Sequence, residues 1–132
     1  MHALDLSLFK YMLDYTKELL NNQCGGSAVQ TLEQRLASMP RFYGLKVMKN
    51  VSDMTRMTAN EFRNIMKVII IVLDNLYESN EEEGELNNER LCEVFYKFLK
   101  MYLATREESF TNETCDELQV RCKVFVLTSI NF

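Results

Sequence analysis

An all-α fold, a single helical bundle of about five helices around a buried central helix near 59–77, is what the sequence predicts. Three observations predict it. Glycine and proline are scarce, at 4 and 1 in 132 residues, so the closely spaced turns of an all-β chain have little to be built from. Apolar residues recur at spacings of three and four through most of the chain, the period of a helix with one buried face. And Thr58-Ala-Asn-Glu61 reads as a capping box that opens a run from Phe62 to Leu76, whose centre, Val68-Ile-Ile-Ile-Val-Leu73, is apolar on every face. A helix with no polar side belongs in the middle of a protein, with other elements packed on several sides.

The other elements follow in order. Leu4, Leu8, Tyr11, Met12, Tyr15 and Leu19 predict an amphipathic helix over 4–20, ended by 21–27 with its Gly25-Gly26 pair. A shorter helix over 28–38 is carried by Val29, Leu32, Leu36 and Met39, and Pro40 prevents its continuation. The 17 residues 41–57 have little helical period; Leu45, Val47 and Val51 suit an extended or turn segment, yet a lone strand has no partner in this sequence, so an ordered loop with a helical turn near 52–55 is expected. Beyond the central helix, 78–88 reads as an acidic flexible loop containing Glu81-Glu82-Glu83. Asn87 or Asn88 then caps a fourth helix with the stripe Leu91, Val94, Phe95, Phe98, Leu99, Tyr102 and Leu103, and Glu93 and Lys97 form an i, i+4 pair on its other side. Thr111 or Asn112 caps a fifth over 112–126, presenting Cys115, Leu118, Cys122 and Phe125 inward.

Length and 47% hydrophobic content suit one domain spanning 1–132. Fifteen basic against nineteen acidic residues give a net charge of −4, so no overall positive field attracts nucleic acid, and any contact with it must be local. Cys24, Cys92, Cys115 and Cys122 form no C-x-x-C pair, and with His2 as the single histidine they complete no zinc site; they read as buried thiols of a reducing compartment. Lys67 and Asp74 bound the apolar run far short of the roughly 20 residues of a membrane span. The N-terminus has no signal-peptide pattern. The expectation is a soluble intracellular protein, nuclear or cytoplasmic, without a membrane partner, and the sequons at Asn50 and Asn112 read as chance matches.

The sequence holds no familiar catalytic constellation: no G-x-S-x-G, P-loop, H-E-x-x-H or dinucleotide turn is present, and Asp5, Asp14, Asp53, Asp74 and Asp116 are scattered. No cofactor and no small-molecule substrate are expected. A basic and aromatic interleave runs through Arg35, Arg41, Phe42, Tyr43, Lys46, Lys49, Arg56 and Arg63. Arg41, Lys46, Lys49 and Arg56 are its candidate nucleic-acid contacts, suited to phosphates beside a stacking ring. The plainer reading is a loop whose aromatics plug the bundle while its lysines stay in water.

Several blocks together resemble one family. His2-Ala-Leu-Asp-Leu-Ser-Leu-Phe9, Pro40-Arg-Phe42 with Leu45-Lys-Val-Met48, Met54-Thr-Arg-Met-Thr58-Ala-Asn-Glu61, and residues 91–102 followed by Ser109-Phe-Thr-Asn-Glu-Thr114 with Leu118 are similar, in order, to the Plavaka-like branch of the Kyakuja-Dileera-Zisupton DNA transposases. Such enzymes have an RNase H-like core in which three carboxylates hold two divalent metals. The resemblance implies that the chain matches the helical region between the second and third acids, with His2 just after the second. None of the three acids falls on this sequence, so no catalytic residue carries over and no nuclease activity is expected. On this reading the chain begins inside a helix and stops without a cap, as a degenerate fragment of a transposase would, self-associating or binding transposon ends. The alternative is an unrelated intracellular helical protein–protein interaction module, docking through the helix from Leu91 and the helix from Leu4. A third reading is an enzyme site using Asp5 or His2, formed on oligomerisation.

Overall fold

The computed structural model describes residues 3–40, 42–45, 54–76 and 87–130. Arg41, Lys46, Lys49, His2, Asp53 and the acidic stretch 78–86 lie outside them. Among the described residues there are five α-helices and no strand: α1 (Phe9–Cys24), α2 (Gly26–Ala37), α3 (Ala59–Leu73), α4 (Asn88–Ala104) and α5 (Asn112–Ile130). A π-helical segment (Ala3–Leu8) leads into α1, and a 3-10 turn (Met54–Arg56) lies close to the expected helical turn. The chain divides into two compact units, residues 1–88 and 89–132.

In the first unit, α1 packs on α2, α2 on α3, and the π-helical segment touches both α1 and α3. The buried face of α1 differs from the expected one. Phe9, Leu13, Thr16 and Leu20 are buried, whereas Tyr11 is 70% and Tyr15 52% exposed. The spacing 9, 13, 16, 20 is as regular as the expected stripe, but Thr16 disguises it. Its hydroxyl donates to the Met12 carbonyl at 2.6 Å, which satisfies the polar group inside the core.

The first helix also runs further than 4–20, through Asn21-Asn22-Gln23 to Cys24. The two asparagines are only weak helix formers, not breakers, and glutamine is a good one. What stops the helix is Gly25, with φ 77° and ψ 172°, and α2 starts at the next residue. An L side chain is strained in that backbone region, which belongs to glycine. Lys17 and Glu33, 3.0 Å apart and partly buried, join the two helices beyond this joint.

Thr58 and Glu61 form the expected capping box: the Thr58 N–H donates to Glu61 Oε2 at 2.7 Å and the Glu61 N–H to Thr58 Oγ1 at 3.4 Å. The helix so opened, α3, buries Phe62, Asn64, Ile65, Met66, Val68, Ile69, Val72 and Leu73. Phe62 meets Phe9 edge to face, with ring centroids 6.3 Å apart. Each such side chain stabilises the core by about 2 kcal/mol. Two features depart from expectation. Ile71 is 66% exposed, so the helix has one open side despite its composition. And the helix ends at Leu73, because Asp74 turns extended and Asn75 takes φ 47°; Leu76, beyond the end, is still buried.

The second unit contains α4 and α5, which meet at Phe98 and Phe125. Leu91, Val94, Phe95, Phe98, Met101, Tyr102 and Ala104 are the buried side of α4. Leu103, expected in the stripe, is 65% exposed, and Met101 takes the place instead. Phe98 stacks on Tyr102 and meets Phe125 of α5 at 5.6 Å. Before α5, Thr111 and Thr114 cap each other: the Thr114 N–H donates to Thr111 Oγ1 at 3.3 Å and the Thr111 N–H to Thr114 Oγ1 at 2.7 Å. The expected inward face of α5 is thinner than its sequence suggests. Phe125 alone is buried, Leu118 and Cys122 are half-buried, and Cys115 is exposed.

Candidate functional site

Of the four candidate nucleic-acid contacts, Arg56 lies within the described residues, exposed at the end of the 3-10 turn. Arg41, Lys46 and Lys49 lie outside them. Arg35, from the same interleave, is committed elsewhere. Its Nη1 donates to the carbonyls of Val72 at 3.0 Å and Asp74 at 2.7 Å, and its Nη2 to that of Asn75 at 3.0 Å. The last carbonyls of α3 lack partners within their own helix, and a guanidinium reaching over from α2 supplies them. That arrangement serves the fold and leaves little of the fork for a phosphate.

The aromatic members do not plug the bundle. Phe42 is 52% exposed and Tyr43 is fully exposed, at a turn where Gly44 takes φ 82° and the Leu45 N–H donates to the Phe42 carbonyl at 3.0 Å. Lys67 of α3 holds this turn, its Nζ donating to the Gly44 carbonyl at 2.8 Å and to Asn64 Oδ1 at 3.2 Å. The structure therefore brings Phe42, Tyr43 and Lys67 together on one surface of the first unit.

Among the described residues, no group of three His, Cys, Asp or Glu side chains is placed to hold a metal, and no helix is long and apolar enough to cross a membrane. The four cysteines are thiols, but none is fully buried: Cys24, Cys92 and Cys122 are half-buried and Cys115 is exposed. The expectation of four buried thiols is thus corrected. Cys115 sits one turn into α5, on a helix too lightly covered to enclose it.

The most pronounced surface feature is one that periodicity missed. Val120, Val124, Val126 and Leu127 of α5 are 58%, 36%, 51% and 62% exposed. Glu113, Asp116 and Glu117 precede them and, with Val120 and Arg121, line a shallow open depression. On α4, Tyr96 and Leu103 are exposed, with Lys100 Nζ 4.9 Å from the Tyr96 ring centroid. Beside these residues run the ion pairs Glu93 with Lys97 at 3.9 Å and Glu117 with Arg121 at 3.6 Å. A signal was present in the sequence: residues 118–127 hold seven apolar side chains spread around the helix. Reading one face of them leaves the other unassigned.

Comparison with protein-family models, with curated proteins and with solved structures returns no match.

Proposed function

We propose that the chain is a non-catalytic, intracellular helical module that binds other proteins, and that the second unit is its docking surface. One observation carries this. Of thirteen large hydrophobic side chains exposed among the described residues, seven (Tyr96, Leu103, Phe110, Val120, Val124, Val126 and Leu127) belong to the second unit, the shorter of the two. Single exposed apolar residues are ordinary, but a cluster on neighbouring helix turns marks a binding face. The thiol state of the four cysteines suits a reducing compartment. The test is site-specific photo-crosslinking in cells, with the photoreactive residue placed at Leu103 or Leu127 and, as control, at Glu89. Adducts at the first two positions and not the third are expected; equal yields at all three, or none, would remove the reading.

The sequence blocks that resemble Plavaka-like transposases support a second reading, in which the module descends from the helical region between the second and third acids of such an enzyme. Exposed Arg56, Phe42 and Tyr43 favour a residual affinity for DNA ends. Titration of single- and double-stranded DNA at low salt tests it: affinity lowered by Lys46→Glu with Lys49→Glu is expected. No binding, or binding indifferent to the double substitution, overturns it.

A further inference from the structure

One side of α5 is covered and the opposite side carries a stripe in two parts. Leu118, Cys122 and Phe125, at spacings of four and three, are the covered side. Turned away from them on the helix are Glu113, Asp116, Glu117, Val120, Val124 and Leu127, all exposed. The stripe is thus acidic at its start and apolar beyond, and the two parts meet at the open depression lined by the three carboxylates, Val120 and Arg121. Their centres are roughly 12 Å apart, about two helical turns. We propose that this stripe docks a helical segment of another protein, apolar along one face and bearing lysines or arginines about two turns away on that same face. This rests on the interaction-module reading and states the chemistry of its partner.

Charge selects that occupant. Glu117 pairs with Arg121 at 3.6 Å, whereas Glu113 and Asp116 form no ion pair among the described residues. Arg121 and Lys123 fall at the two edges of the apolar part, off the line of the acids. Carboxylates in this position repel the phosphates of nucleic acid and the headgroups of anionic lipid. A second α5 fits no better. Laid parallel, it sets carboxylate against carboxylate; laid antiparallel, it presses carboxylates onto Val120, Val124 and Leu127, where a charge loses water and gains no partner. A wholly apolar helix strips water from Glu113 and Asp116 in the same way. A lysine or arginine at that end meets both demands, its stem covering apolar surface while its head reaches a carboxylate. Covering the stripe also supports the helix itself, since 19 residues anchored by one buried side chain, Phe125, are marginal in water.

Fluorescence anisotropy tests this with the full chain and three labelled synthetic helical peptides. All three carry leucines spaced four and three residues apart; two turns away on the same face, one has a pair of lysines, one a pair of glutamines and one a pair of glutamates. The lysine peptide is expected to bind at least about tenfold more tightly than the glutamine peptide, and the glutamate peptide most weakly. Added salt should shrink that advantage. Glu113→Gln with Asp116→Gln is expected to remove the lysine preference, and Val120→Ser with Leu127→Ser to weaken binding of all three peptides. Circular dichroism checks that both variants stay helical, while the ranking of the peptides on the wild type depends on no variant. Equal affinity for the three peptides, a lysine preference that outlasts both carboxylates, or no binding of any peptide would overturn the proposal. Should no peptide bind while crosslinkers at Leu103 and Leu127 still form adducts absent at Glu89, the basic partner falls and the interaction module stands; should both fail, both fall.

Discussion

Arg35 Nη1 lies 2.7 Å from the carbonyl oxygen of Asp74, joining residues 39 positions apart. With Val72 and Asn75 as its other acceptors, one guanidinium closes the C-terminal end of α3 from a different helix. A fork of several N–H donors suits this, where a point charge does not. The contact fixes where the most buried helix of the first unit stops and how the chain leaves it.

Arg35→Met is therefore expected to lower stability by about 1–2 kcal/mol, the net worth of charge-assisted hydrogen bonds that are partly exposed. Arg35→Lys should recover a fraction of that. Urea denaturation of the three proteins measures it, and coincident midpoints would refute the assignment.

At the other end of α3, Thr58→Ala removes the hydroxyl that accepts the Glu61 N–H. A loss of about 1 kcal/mol is expected, read as a lower melting temperature, while Thr58→Asn should stay near the wild type. Unchanged melting in the alanine variant would argue against the helix boundary.

Two isoleucines of α3 should behave oppositely although they are separated by a single residue. Ile69 is fully buried and Ile71 is 66% exposed. Ile69→Ala is expected to cost about 2–5 kcal/mol, whereas Ile71→Lys should stay within about 0.5 kcal/mol of the wild type. Equal losses would mean that both sides of the helix are covered.

Among the cysteines, Cys115 is the exposed one. Iodoacetamide under native conditions is expected to modify it faster than Cys24, Cys92 or Cys122, as peptide mass spectrometry at early times would show. Thiolate access governs that rate, so uniform labelling would contradict the burial pattern.

Helix count, type and the starts of α3, α4 and α5 were legible because apolar period and capping chemistry act locally, as at Thr58 and Glu61. Helix ends were less so: α1, α3 and α5 end at Cys24, Leu73 and Ile130, each four residues from the expected 20, 77 and 126. Faces were harder to read. Thr16 is buried and Tyr11 exposed, since a hydroxyl bonded to Met12 enters a core as readily as a methyl, while a tyrosine can keep its ring in water. The open side at Ile71 could not be read from a stretch with no polar marker. Arg35 shows the limit for the candidate site: in the sequence it is one basic residue of an interleave, and only the fold reveals that three carbonyls of a distant helix end have claimed it. The exposed valines of α5 were visible as composition and were lost to a reading that assigned one face per helix.

Gly25 gives the first unit a joint one residue long, at φ 77° and ψ 172°, with open space where a Cβ would stand. The obstacle to any other residue there is therefore handedness and not room. Reflected through the α-carbon, these angles are the ordinary extended basin of an L residue, which is to say the natural basin of a D residue. A right-handed helix ends and another begins across a single peptide unit of opposite preference. Glycine is the one genetically encoded residue with no stake in the choice, and a D-alanine placed there by synthesis would hold the joint more firmly than the chain's own residue does, by having less freedom to lose.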